Sequence, residues 1–136
     1  MNNTRFAIAI HILTLLAYTD AKWLPSEHIA GSININPAMA RKEISNLQEY
    51  GLVENRAGKY GGSKLAKPAA EIRLSDIYKA VNPTPALGFL REGPNPNCPV
   101  GRQINKHMLE LNKTTEIAII NELSRQTLAD FCLHFW

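Results

Sequence analysis

Between Arg56 and Lys67 the chain reads Arg-Ala-Gly-Lys-Tyr-Gly-Gly-Ser-Lys-Leu-Ala-Lys, with four cations (Arg56, Lys59, Lys64, Lys67), three glycines and no acid. Behind the short apolar step Leu52-Val53 this describes a Gly-rich cationic hairpin. What precedes it narrows the choice further. Asn36 can cap a helix, and Pro37 at the first helical position loses no hydrogen bond. Ala40, Ile44 and Leu47 then share one helical face, leaving Arg41, Lys42, Ser45, Asn46 and Gln48 outside. Gly51 supplies the left-handed stop. A capped helix with a polar outer face, joined to a cationic hairpin, has the form of a recognition helix and its wing. The expectation is a winged helix-turn-helix that meets duplex DNA.

Charge placement agrees with this more than total charge does. The net charge of the 136 residues is only +3, and 45% hydrophobic content is ordinary for a globular chain. From Asn36 to Lys67, however, six cations face three acids, a local excess equal to that of the whole chain. Two cysteines, Cys98 and Cys132, make no disulfide framework and fit a cytoplasmic protein with reduced thiols. Phe6 to Tyr18 is apolar but interrupted by His11 and Thr14, without a cleavage site after it and too short to span a membrane. It reads as a buried first helix, about Thr4 to Thr19.

Further along, Leu24-Pro25-Ser26 breaks the chain, with Ser26 as the cap of a second helix, Glu27 to Gly31. A polar turn around Ser32 and Asn34 leads to the helix opened by Asn36. After the hairpin, Pro68 ends strand pairing, Ser75 caps a short helix from Asp76 to Val81, and Asn82-Pro83 stops it. Five prolines and two glycines between Pro83 and Pro99 make a linker-like loop. From Gly101 to about Gln126 a long helix is expected, with Ile104, Met108, Leu111, Thr115 and Ala118 at 4-3-4-3 spacing. Its stripe has little of its own domain to pack on, so pairing of residues 101–126 with a second copy is expected. Thr127 with Asp130 has capping-box spacing and opens a last short turn before an apolar end. The expected organisation is a DNA-binding unit over 1–82, a Pro-rich loop over 83–100, and a long dimerisation helix with an apolar tail over 101–136. The fold class is mostly α with one small β-hairpin.

Arginine and asparagine have bidentate geometry for guanine and adenine, and lysines meet phosphates. The candidate DNA contacts are therefore Asn36, Arg41, Lys42, Ser45 and Asn46 on the helix, and Arg56, Lys59, Tyr60, Ser63 and Lys64 on the wing. Arg41 is assigned to a base edge and Lys42 to phosphate. Gly62-Ser63-Lys64 departs from the Gly-Lys-Ser/Thr order of a P-loop, so nucleotide binding is not expected. The four histidines show no metal-ligand spacing, and neither metal, cofactor nor catalytic group is expected.

The wording of these pieces resembles the Rrf-two family of bacterial winged-helix regulators, which includes IscR and CymR. The likeness runs through Ile29-Ala30, Asn36-Pro37, Leu47-x-x-x-Gly51-Leu52-Val53 and the wing Arg56-Ala57-Gly58-x-x-Gly61-Gly62-Ser63-x-Leu65-Ala66. It continues in Ile72-x-Leu74-x-Asp76-Ile77-x-x-Ala80-Val81 and in Cys98-Pro99-Val100-Gly101. It implies a homodimeric transcription factor whose long helices cross. Family members that bind an iron–sulfur cluster carry three close cysteines before that helix, where this chain has Cys98 alone, with His107 nine residues later. The cluster is accordingly not carried over. The function expected is that of a dimeric, sequence-specific repressor on a pseudo-palindromic operator. Two other readings stand beside it: a thiol- or metal-responsive sensor using Cys98, and a winged-helix module that binds protein.

Overall fold

The computed structural model describes residues 4–19, 22–81 and 84–136. Helix α1 (Arg5–Thr19) is the centre of the core, burying Ile8, Ala9, Ile12, Leu13, Thr14 and Leu16. Its Thr14 hydroxyl disposes of its polarity by donating to the Ile10 carbonyl one turn back (2.7 Å). Helices α2 (Ser26–Ile33) and α3 (Pro37–Glu49) form the helix-turn-helix. Ser26 is the first helical residue rather than the cap; Pro25 holds the cap position with no side-chain bond, and α2 runs two residues past Gly31. The turn between the helices depends on Asn34, whose φ of 64° places it in the left-handed region that asparagine tolerates.

At the start of α3 the Asn36 side chain accepts from the Ala38 amide (2.7 Å), with Pro37 at the first helical position. At its end, Gly51 at φ 74° lets the Leu52 amide reach the Leu47 carbonyl (3.0 Å) and the Gly51 amide reach Gln48 (2.9 Å). That pair of bonds is a Schellman closure, and its apolar partners Leu47 and Leu52 are both buried. Ala40, Ile44 and Leu47 face inward as their spacing requires, but Glu43 is buried beside them. Its carboxylate receives the Arg5 Nε on both oxygens (3.2 Å each), tying α3 to the first turn of α1.

The wing is an antiparallel pair, β1 (Val53–Arg56) and β2 (Gly62–Leu65), in register Val53↔Leu65 to Arg56↔Gly62. Leu24 adds a one-residue third strand, exchanging two 2.9 Å backbone bonds with Ser63. Those close approaches account for the double glycine. A Cβ at Gly61 would collide with the Arg56 carbonyl, and one at Gly62 would lie 2.5 Å from the Leu24 carbonyl carbon and oxygen.

Helix α4 (Leu74–Val81) begins one residue before Ser75, which is buried inside it. The expected capping role of Ser75 passes to Asp76, whose Oδ2 accepts the Arg73 amide (2.9 Å). Asn82 and Pro83, expected to stop α4, lie outside the described residues. The long helix α5 spans Ile104–Leu123, about 30 Å at 1.5 Å per residue, and Gly101 to Gln103 form turns before it. The start shifts because the Asn95–Arg102 segment is a string of tight turns, with the Cys98 amide on Asn95 O and the Arg102 amide on Cys98 O. Helix α6 (Leu128–Cys132) opens with the Thr127–Asp130 capping box. It returns to the core: the Leu128 amide donates to Ile72 O (2.7 Å), and Leu128 and Cys132 join the cluster around α1. The C-terminal turn is thus part of the same interior as α1, whereas α5 meets that cluster only through Leu123 at its end.

Candidate nucleic-acid interface

Three elements meet around an open cleft of about 420 Å³: the first turn of α2, the outer face of α3 and the wing. Ser26, Arg41, Ser45, Asn55, Arg56 and Lys59 line it. Arg41 is exposed, and its guanidinium lies 3.9 Å from the Glu27 carboxylate, a pair open to solvent on both sides. Lys42 and Ser45 are exposed on the same helix. Asn36 is exposed but its carbonyl oxygen is committed to the cap.

Two of the ten candidate side chains are placed differently from the rest. Asn46 turns toward α4, its Nδ2 donating to the Ala80 carbonyl (2.9 Å), so its amide joins two helices instead of facing outward. Ser63 is 4% exposed and its hydroxyl donates to Asn55 Oδ1 (2.5 Å). Helical periodicity put Asn46 on the outer face; the departure arises because α4 crosses that flank, which no local pattern records. Ser63 alternates inward with Val53, as strand pleating dictates once the register is known.

At the hairpin tip, Lys59 and Tyr60 are exposed, and the ammonium sits 5.5 Å from the Tyr60 ring centroid. Behind the tip the side chains are held by several partners. The Arg56 Nη2 donates to the Tyr60 carbonyl (2.5 Å), fastening the loop across its own mouth. The Arg56 guanidinium carbon and the Lys64 ammonium each lie 4.6 Å from the centroid of the Trp23 ring. Lys64 is also 3.9 Å from Glu54. Asn55 spans from Ser63 to Gln48 Oε1 (2.9 Å), so one side chain locks the wing to the end of α3. Sequence reasoning missed Trp23, Asn55, Glu27 and Glu43. A tryptophan beside the Leu24-Pro25 break was the one available signal; the others needed the fold.

Cys98 is half-buried, with the Gly101 and Val100 amides on its sulfur holding its pKa below the ordinary thiol value. Cys132 is buried, and desolvation moves its pKa the other way. Among the described residues no three His, Cys, Asp or Glu side chains gather as metal ligands. No described helix is long and apolar enough to cross a membrane.

A helix-turn-helix whose second helix and cationic wing border one cleft, with a long helix set apart, defines the winged-helix class of regulator. The chain belongs to the Rrf2 family, described as iron-dependent transcriptional regulators, whose model matches residues 2–134. It is 39% identical over 136 residues to the HTH-type transcriptional regulator YwnA of Bacillus subtilis, covering all of both chains. A crystal structure described as a DNA-binding protein is 35% identical, with 93% of this chain and 97% of that one covered and a TM-score of 0.74. CymR, the global cysteine regulator of B. subtilis, shares the fold at 19% identity and TM-score 0.71, covering 100% of this chain and 98% of its own. The family description names iron, yet a single thiol in the loop before α5 does not supply the ligand set a cluster needs.

Proposed function

We propose that this transcriptional regulator is a cytoplasmic homodimer that represses by gripping a pseudo-palindromic operator, one α3 and one wing per half-site. The observation carrying the reading is convergence: Arg41, Arg56 and Lys59 border one open cleft between α3 and the wing. A duplex that admits α3 to its major groove brings a phosphate strand past that cleft. Arg41 then reads a base edge, with Ser45 beside it, while Lys42, Arg56, Lys59 and Lys64 meet phosphates and Tyr60 follows the backbone. Asn46 is left to position α4. Dimerisation is supported by the α5 stripe, where Ile104, Leu111 and Ile117 are 40%, 52% and 52% exposed. Two-fold symmetry sets the half-sites roughly 34–36 Å apart.

Selection of bound sites from random duplexes tests symmetry and spacing together. Lys59→Ala with Lys64→Ala is expected to weaken binding to every sequence and to reduce the salt slope by about one per contact. Arg41→Ala is expected to relax preference at one position, by about 1–3 kcal/mol. Selected sites without dyad symmetry, or unaltered binding by both variants, would overturn the reading. One observation favours a thiol-responsive form of it: the two backbone amides that stabilise a Cys98 thiolate beside the start of α5. DNA affinity measured before and after mild oxidation, in wild type and Cys98→Ser, decides that point.

A further inference from the structure

We infer that Trp23 is a positioning residue for the wing, holding Arg56 and Lys64 in the posture in which they meet phosphate. The inference rests on the reading that the wing contacts the DNA backbone. Sheet geometry carries the argument. Leu24 pairs with Ser63 and Arg56 with Gly62, so Trp23, Lys64 and Arg56 belong to one face of the three-stranded wing. Between Trp23 and Arg56 on that face stands Gly62, which has no side chain, and the indole reaches across the gap. The ring centroid is 4.6 Å from the Arg56 guanidinium carbon and 4.6 Å from the Lys64 ammonium.

Stacking uses the face of a guanidinium and leaves its in-plane N–H groups for other acceptors. One of these goes to the Tyr60 carbonyl. The side chain is thus held at two points, with the remaining donors free of the ring, at a cleft that Arg56 itself lines. Free arginine and lysine chains lose rotamer freedom when they bind phosphate, and a prepaired stack removes part of that loss before DNA arrives. Lys59, which stacks on Tyr60 instead, is outside this arrangement and serves as the internal control.

The test is a mutant cycle on the full chain, read as affinity for mixed-sequence duplex DNA at low ionic strength. Trp23→Leu keeps apolar bulk and removes the aromatic face; it is expected to weaken binding roughly 5- to 30-fold, the ratio two surface stacks correspond to. Trp23→Phe retains a weaker ring and is expected to lose only about 2- to 3-fold. In the Arg56→Gln, Lys64→Gln background, either Trp23 change should cost nothing further, whereas in a Lys59→Ala background the full loss should persist. A Trp23 loss as large without the two cations as with them overturns the inference and leaves the wing reading intact. Wild-type affinity in the Arg56→Gln, Lys64→Gln protein instead overturns the wing reading itself. If Trp23→Leu melts without a cooperative transition, the Trp23→Phe arm of the same cycle gives the decision.

Discussion

The two longest helices of this chain live under different rules. α1, with 15 residues, places six side chains in the interior. α5, with 20 residues, buries only Asn112 within the described chain. α1 is packed by the helix-turn-helix, β2, α4 and α6, which leave only a stripe at Ala7, His11 and Tyr18 exposed. α5 is met by α4 and by the loop before it, and its side-chain hydrogen bonds to them are polar anchors. Asn112 accepts the Leu87 amide (3.1 Å), while Glu116 accepts both the Ala86 amide (2.8 Å) and the Tyr78 hydroxyl (2.9 Å). The apolar stripe is left over. One helix is stabilised by its own chain, and the proposed partner of the other is a second copy.

The sharpest way to break this contrast is to charge the stripe. Leu111→Glu with Ile117→Glu is expected to raise the dimer dissociation constant by about 100-fold or more, because paired carboxylates would enter an apolar seam. Sedimentation equilibrium reads the assembly, and the monomer's cooperative unfolding should remain. A dimer unchanged by both charges would remove α5 from the interface. Leu128→Ala is the complementary test on the core side. The side chain is fully buried, and its truncation is expected to cost about 2–5 kcal/mol in urea unfolding. The same truncation at Leu111, 52% exposed, should cost the isolated chain far less.

The cysteines sharpen the comparison chemically. Cys98, in the loop that feeds α5, has its pKa lowered by the Gly101 and Val100 amides, while Cys132 in α6 has its own raised by burial. Alkylation near neutral pH should modify Cys98 at least about tenfold faster in the native protein, scored by peptide mass. Equal rates would mean that α6 opens as readily as the loop. The smallest effect is at the joint between the two regions. Tyr78 on α4 is pushed up to about 12, chiefly by burial and then by the Glu116 carboxylate it donates to. A pKa raised by folding makes a contribution that is complete below the unfolded value of 10.0 and is lost as pH rises toward about 12. The ultraviolet difference titration between wild type and Tyr78→Phe should therefore show Tyr78 ionising only as the pH approaches about 12, above the 10.0 of an ordinary tyrosine. Tyr78→Phe itself should cost about 1 kcal/mol.

Much of this was legible residue by residue. The Asn36-Pro37 start, the Gly51 stop and the Thr127–Asp130 box are local signals, satisfied within five residues of backbone, and they appear where the sequence puts them. Ser26 and Ser75 show the weakness of the same reasoning. A serine near a helix start is a cap only if the backbone turns there, and at both sites the helix began at or before it. Asn46 and Ser63 turn to partners within the protein for a different reason. Their partners, Ala80 and Asn55, are 34 and 8 residues away in the chain.

Periodicity and turn chemistry act over a few residues, and so the sequence by itself determined the helix-turn-helix, the glycine-dependent wing and the stripe along α5. Distant pairings are set by how finished elements pack. Only the tertiary structure decided that Glu43 is buried against Arg5, that Trp23 collects two wing cations, that Asn55 joins the wing to α3, and that α6 folds back beside α1. Each of these couples segments whose local sequence carries no trace of the other, because the energy that joins them appears only when burial brings them together.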